Sequence, residues 1–189
     1  MTTKPISRYP TPDINTLPED IKAKILAVQE KAGFIPNVFL VLAHRPAEFR
    51  AFFAYHDALM EKDSGLSKAD MEMIVTTTSG ANNCQYCVVS HGAILRIRAK
   101  DPLIADQVAV NYHKADISPR QTAMLDFAMK VSLDAKSICD GDFEILMAHG
   151  LSEEDIWDIA AITAFFGLSN RMANFTSMRP NDEFYTMGR

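Results

Sequence analysis

One feature constrains this chain more than any other: apolar residues recur at helical spacing almost without interruption. From Leu17 to Met178 they return every three or four positions, and the breaks fall mostly at Pro, Gly, Ser or an Asn-Asn pair. That rhythm builds amphipathic helices and leaves few alternating stretches for strands. "LPEDIKAKILAVQEKAG" reads as a helix with Pro18 near its start and Gly33 past its end. "FIPNVFLVLAHRP" reads as a short one, followed by "PAEFRAFFAYHDALME". "LSKADMEMIVTTTSGA" follows, with Ser67 as N-cap and Asp70 three residues on completing a capping-box pattern. "NNCQYCVVSHGAILRIRA" is a further helix, predicted to be capped by Asn83. "SPRQTAMLDFAMKVSLDA" starts with Ser at the cap and Pro in the first turn. "DFEILMAHG" closes on Gly150, and "SEEDIWDIAAITAFFGLSNRMANFTSM" ends the series. "MIVTTTS" is β-branched enough for a strand, but nothing else in the sequence offers it a partner. The expected fold class is all-α.

The 189 residues and 48% hydrophobic content suit one compact domain. The expected division is an N-terminal extension over 1–17, a single helical domain over 18–178, and a polar, mobile tail over 179–189. The net charge of -5, with Lys and Arg scattered, gives no nucleic-acid footprint. No run is long and apolar enough for a membrane span, and the polar, Pro-rich N-terminus lacks a secretory signal. A cytoplasmic setting is therefore expected, where a paired Cys motif points to catalysis or metal rather than to a structural staple.

A faint repeat adds to this. "GLSKADMEMI" from Gly65 and "GLSEEDIWDI" from Gly150 share G-L-S-x-x-D and a final Ile. The same offset puts Ser169 opposite Cys84, Met172 opposite Cys87 and Thr176 opposite His91. Either the fold holds two related helical halves, the second stripped of reactive groups, or the match is chance.

Two of the three cysteines stand in "NNCQYCVVSH". On a helix, Cys84 and Cys87 lie about 60° apart, and His91 lies about 20° from Cys84 and about 40° from Cys87. All three share a face. Free N–H groups and the helix dipole favour a thiolate at Cys84, while His91 can serve Cys87 as base. Closing a disulfide between i and i+3 requires some tightening of the first turn. A structural zinc site normally takes four ligands, and no second Cys pair or spaced His pair supplies them. Inert packing of two small hydrophobes stays open as the alternative to redox chemistry.

Glu72, twelve residues before Cys84, sits among apolar residues of the preceding helix. An antiparallel turn at Asn82-Asn83 brings it alongside the second helix. A carboxylate held in apolar surroundings has its pKa raised, which suits proton transfer.

Glu72, Cys84, Cys87 and His91 together form Glu-x11-Cys-x2-Cys-x3-His. This pattern resembles the active site of the alkylhydroperoxidase D branch of the carboxymuconolactone decarboxylase superfamily. "GFIPNVFLVLAHRPAEFRAF", "NYHKADISPRQTAMLDFA" and "GLSEEDIWDIAAITAFFGLSNRMAN" extend the likeness to the peroxidase-related subgroup, over most of residues 30–176. The resemblance implies an AhpD-like helical fold with a family core over about 45–130. It also implies homo-oligomers (dimer, trimer or hexamer) and thiol peroxidase activity without flavin, haem or metal. It assigns attack to Cys87, resolution to Cys84 and the proton relay to Glu72 and His91. An external dithiol, a lipoyl-bearing protein in the family, is the implied reductant. Better-known members carry a His between the cysteines, where this chain has Gln85 and Tyr86. Tyr86 is read either as a donor to a peroxide oxygen or as packing.

Two other readings remain: a non-enzymatic redox-sensing or assembly module using the same pair, and decarboxylase-type chemistry, which has no need of a redox pair. Cys139 is expected to be structural or incidental. Arg171 is read as a partner for Glu72 or as an interface residue, the latter favoured. Phe165, Phe166 and Trp157 are expected in the core or an interface. Phe39, Phe52 and Phe53 are expected to line a pocket suited to an organic hydroperoxide.

Overall fold

The computed structural model describes residues 5–189, and among them it is helical with no strand. Nine α-helices are formed: α1 (Glu19–Ala32), α2 (Asn37–Leu42), α3 (Pro46–Met60), α4 (Lys68–Ala81), α5 (Gln85–Ala99), α6 (Ile104–Asn111), α7 (Pro119–Asp134), α8 (Asp140–Ala148) and α9 (Glu153–Thr176). None is long and apolar enough to cross a membrane.

The punctuation follows the sequence. Ser67, Ser118 and Ser152 each accept from the backbone N–H three residues on, while Asp70, Gln121 and Asp155 reach back to the cap. Gly33 and Gly150 take φ of 82° and 77°, ending α1 and following α8 in the left-handed region that glycine tolerates. The β-branched run in α4 stays helical because packing overrides propensity. Every residue from Asp70 to Ser79 is buried. Thr78 also returns its hydroxyl to the Ile74 carbonyl at 2.8 Å.

α4 is thus the central rod, enclosed by α5, α6, α7 and α9. Its core includes Met71, Ile74, Leu95, Met124, Leu125, Ile156, Ile159 and Phe166. A smaller core joins α1, α2 and α3 through Ile21, Ile25, Leu42, Phe49 and Phe53. Phe39 and Phe53 stack there at 4.2 Å, and Phe52 meets Phe165 of α9 at 4.8 Å.

One expectation is corrected and two are narrowed. The stretch 179–189 is held in place. Arg96, only 4% exposed, donates to the carbonyls of Phe184 and Met187, both at 2.9 Å. Phe184 is buried against Phe34, and Asn181 bonds Asn37 and Ile35. A buried guanidinium needs acceptors, and chain carbonyls supply them. Replacing Arg96 with Met should lower Tm by roughly 4–8 °C, because hydrogen bonds from a charged donor contribute about 2 kcal/mol. It should also expose the C-terminus to carboxypeptidase, and an unchanged digestion pattern would count against this latch.

The repeat does not extend to a second helix pair. The capping boxes at Ser67 and Ser152 match, but α4 stops at Ala81 and α9 runs on through the equivalent positions 167–169. Where one copy has a turn, the other has continuous helix. Trp157 is not core: it is 71% exposed on the outer face of α9. Phe165 and Phe166 are buried as expected.

Candidate active site

The turn between α4 and α5 fixes the first cysteine. Asn83 adopts φ 51°, a left-handed conformation that Asn tolerates better than most residues. The N–H of Asn83 bonds the Gly80 carbonyl at 3.0 Å, and that of Cys84 bonds the Ser79 carbonyl at 2.9 Å. This is the Schellman arrangement that closes a helix. Cys84 both completes it and caps α5, its own carbonyl accepting from Val88 N–H at 3.0 Å. The cap is therefore Cys84 and not Asn83, with extended backbone angles of −93° and 94°. Cys87 is the third residue of α5, the position to which an N-cap side chain naturally folds back. Cys84 lies off the helix proper, so a disulfide to Cys87 is not bound by the i,i+3 spacing of two helical residues.

Both thiols are closed from solvent, Cys84 at 0% and Cys87 at 1% exposed, and both are free. They pack with Val41, Tyr86, Ala173 and Met178, with Ile6 and Val38 against the outside. The N-terminal strap is pinned beside them: Arg8 N–H donates to Thr176 and Arg179 N–H to Ile6. The Cys87 S–H lowers the Cys84 thiol from its ordinary value to about 7. Burial opposes this, while the Cys87 N–H, the Asn170 amide and His91 reinforce it. Cys87 moves the other way, raised well above the ordinary value by Cys84 and then by burial. The pair thus holds its first negative charge on Cys84. Its thiolate fraction, and with it the alkylation rate of reduced protein, should rise with pH to a midpoint near 7. A midpoint near the ordinary thiol value of about 8.5 would contradict that arrangement.

The antiparallel turn brings Glu72 to His91. Imidazole Nδ1 stands 2.7 Å from Glu72 Oε2, with the side chains 14% and 10% exposed. The carboxylate orients the ring and, by accepting from Nδ1–H, leaves Nε2 to handle a proton. Phe166 meets the His91 ring edge-on at 4.7 Å. Arg171 takes no part: it is exposed and donates to the Gly167 carbonyl at 2.7 Å. Cys139 is exposed at the N-cap of α8, so it is not a buried small hydrophobe.

Of the residues between the cysteines, Gln85 points outward to the Tyr185 hydroxyl at 3.3 Å. Tyr86 is buried and accepts from Val38 N–H at 3.2 Å, tying α2 to α5. Burial raises its phenol above the ordinary value. The packing reading of Tyr86 agrees with this tether.

Two α9 residues were missed in the sequence. Ser169 Oγ lies 3.8 Å from Cys87 Sγ. Asn170, fully buried, donates to Ser79 Oγ at 2.9 Å and accepts from Asn82 at 2.9 Å. The available signal was an amide set among apolar residues of a long helix, a side chain that must find partners when buried.

A cavity of about 680 Å³ opens beside this site. Phe52, Tyr55, Phe165, Leu168, Met172 and Phe175 give it an apolar lining. Val41 belongs both to its wall and to the thiol cluster. Of the aromatics expected there, only Phe52 lines it; Phe39 and Phe53 pack around Phe49.

Fold and site define a class: an all-helical protein whose C-x-x-C pair opens one helix beside a glutamate–histidine pair shared with the helix before it. The sequence profile of the carboxymuconolactone decarboxylase family matches residues 46–109. A crystal structure described as an alkylhydroperoxidase AhpD core, an uncharacterized peroxidase-related protein from Ralstonia eutropha JMP134, is 69% identical. It superposes with a TM-score of 0.98 over 99% of this chain and 98% of that one. The chain belongs to the alkylhydroperoxidase D-like branch of that superfamily, in its peroxidase-related subgroup. An uncharacterized peroxidase-related protein from Silicibacter sp. TM1040 is 38% identical, with a TM-score of 0.94 over 100% and 99%. The debrominase Bmp8 shares the fold at 18% identity, with a TM-score of 0.77 over 100% and 98%. Comparison with curated proteins gives no match.

Proposed function

We propose that the chain is a thiol-dependent peroxidase that reduces organic hydroperoxides through a Cys84–Cys87 dithiol–disulfide cycle. The observation that carries this is the 2.7 Å Glu72–His91 hydrogen bond on the two helices joined by the turn that presents the free Cys84 and Cys87 thiols. The Cys84 thiolate attacks the terminal oxygen of ROOH. The O–O bond breaks, RO⁻ leaves, and Cys84 becomes a sulfenic acid. His91, backed by Glu72, supplies the proton that makes ROH. The Cys87 thiol then condenses with the sulfenic acid, releasing water and forming the disulfide. An external dithiol reduces it by exchange, becoming oxidised in turn. The cycle calls for no flavin, haem or metal. The sequence assigned attack to Cys87 by resemblance; the lowered pKa supports Cys84 instead.

The apolar cavity sharing Val41 with the thiol cluster supports an organic over an inorganic peroxide. The exposed apolar side chains Trp157, Leu168 and Phe175 on α9, with Tyr55, support self-association. A lipoyl-bearing protein is the proposed reductant. The deciding experiment follows cumene hydroperoxide consumption with dihydrolipoamide: many turnovers per protein support the reading, and none overturns it.

A second reading, a redox sensor, draws on the closure of both thiols. It is distinguished by one equivalent of peroxide consumed per protein, ending in a stable disulfide.

A further inference from the structure

The apolar cavity and the thiol cluster share a wall. Helix α9 shows a different face to each. Leu168, Met172 and Phe175 line the cavity, while Ser169 Oγ stands 3.8 Å from Cys87 Sγ and Ala173 packs in the thiol cluster. The rest of the wall comes from α2. Among the described residues, Val41 alone belongs both to the cavity lining and to the buried thiol cluster.

The two ends of α2 are held differently. At its start, the Asn37 N–H and Nδ2 donate to Asn181 and Arg179, each at 2.8 Å, and the Val38 N–H donates to the Tyr86 hydroxyl at 3.2 Å. Near its end, the Val41 carbonyl accepts from Nδ1 of the exposed His44 at 2.8 Å. His44 in turn stacks on Tyr9 at 5.8 Å, and both of these rings belong to the cavity lining. The side chain that completes the wall thus sits near the end of a six-residue helix, on the side where its support comes from the cavity itself.

The lining also indicates what the cavity accepts. Phe52, Tyr55, Phe165 and Phe175 surround it with rings, and its one arginine, Arg45, pairs with Glu48 of the same lining at 2.7 Å. An uncharged apolar body gains there by buried area and by ring contacts. A carboxylate finds no unpaired Lys or Arg among the lining residues.

We propose that Val41 is the specificity-determining residue of the site: it parts the cavity from the dithiol, and its displacement admits uncharged alkyl or aryl hydroperoxides from that side. This names the substrate class of the site and rests on the peroxidase reading above. A β-branched side chain suits the part, because its restricted χ1 keeps it from folding out of the gap. The cavity volume of about 680 Å³ falls in the range of small-molecule sites, so the organic group has room beside the wall.

The test uses reduced, full-length protein without peroxide and reads alkylation of Cys84 and Cys87 by mass spectrometry. N-phenylmaleimide is the uncharged probe, and N-(4-carboxyphenyl)maleimide is its charged counterpart. Val41→Ala should speed the uncharged probe by about tenfold or more, the span for a methyl-sized change in an apolar site, and the charged one far less. Val41→Phe should slow the uncharged probe. Ala164→Trp places an indole in the cavity from an exposed position on α9, and combined with Val41→Ala it should cancel the gain. Met178→Ala truncates another buried member of the thiol cluster, away from the cavity, and should not favour the uncharged probe. Equal gains for both probes in Val41→Ala, or the same selective gain in Met178→Ala, would mean loosened packing and overturn the proposal. If Val41→Phe does not fold, Val41→Ala with and without Ala164→Trp decides. The two readings fail separately. A selective gain with no peroxide turnover in the unaltered protein keeps the passage and removes the peroxidase. Full turnover with an unselective gain does the reverse.

Discussion

Replacing either Cys84 or Cys87 by serine should lower dithiol-supported peroxide consumption by about a thousandfold or more, because the two sulfurs act as one unit. The two losses should differ in kind. With Cys84 as attacker, Cys87→Ser still reacts once with peroxide and stops at a sulfenic acid, which dimedone traps on Cys84. Cys84→Ser keeps only Cys87, which burial still raises, and gives little adduct. The electrostatic reason is local. Cys84 has its pKa brought to about 7 by the Cys87 S–H and N–H and by Asn170, whereas Cys87, beside a developing anion and buried, is raised. Adduct on Cys87 in Cys84→Ser, with none in Cys87→Ser, would restore the roles that the family resemblance gives. Both variants should fold, since serine is close to cysteine in size and Cys84 caps α5, where serine is favoured.

The second large effect belongs to the proton relay. His91→Asn should reduce turnover by about a hundred- to ten-thousandfold, the usual span for loss of a positioned acid or base. Glu72→Gln should follow it in direction with a smaller loss. The glutamine keeps the 2.7 Å contact possible but removes the acceptor charge that aligns Nδ1–H. The variants isolate the role if the thiol midpoint near pH 7 moves little while the pH–rate profile flattens. A His91→Asn protein with undiminished turnover would remove the relay from the cycle. His91 also packs on Phe166 at 4.7 Å, so Tm should be measured alongside.

Much of the fold was legible because the local signals agree with one another. Ser67 with Asp70, Pro119 after Ser118, and Gly33 and Gly150 mark helix ends by chemistry that acts within a few residues. Glu72 was legible for a related reason: a short turn between two helices leaves antiparallel packing as the natural arrangement. The misreadings share a different cause. Asn83 was given the cap because asparagine favours that position, yet α4 used it as the left-handed residue of its own closure and pushed the cap on to Cys84. The tail was taken as mobile from its composition, which does not reveal that Arg96, 91 residues before Met187, needs chain carbonyls. Asn170 could be seen as an odd amide, but its partners Ser79 and Asn82 lie about 90 residues away. Local chemistry can be read along the chain; long-range pairing of polar groups depends on packing that the chain order does not display.

For the proposed cycle, the closure of the sulfurs implies a rate law. With Cys84 and Cys87 at 0% and 1% exposure, a protein reductant meets a wall that includes Ile6, Val38 and Met178. Exchange must then wait for that wall to part, as amide hydrogens wait for local opening. Re-reduction by a large dithiol protein should therefore level off as its concentration rises, at a ceiling equal to the opening rate. Any chemistry that widens the opening raises the ceiling without touching a sulfur. The strap held by Arg8 to Thr176 and by Arg179 to Ile6 is where such a gain would be made. In the proposed cycle, the packing that closes both sulfurs from solvent would thus also govern how fast the disulfide is reduced.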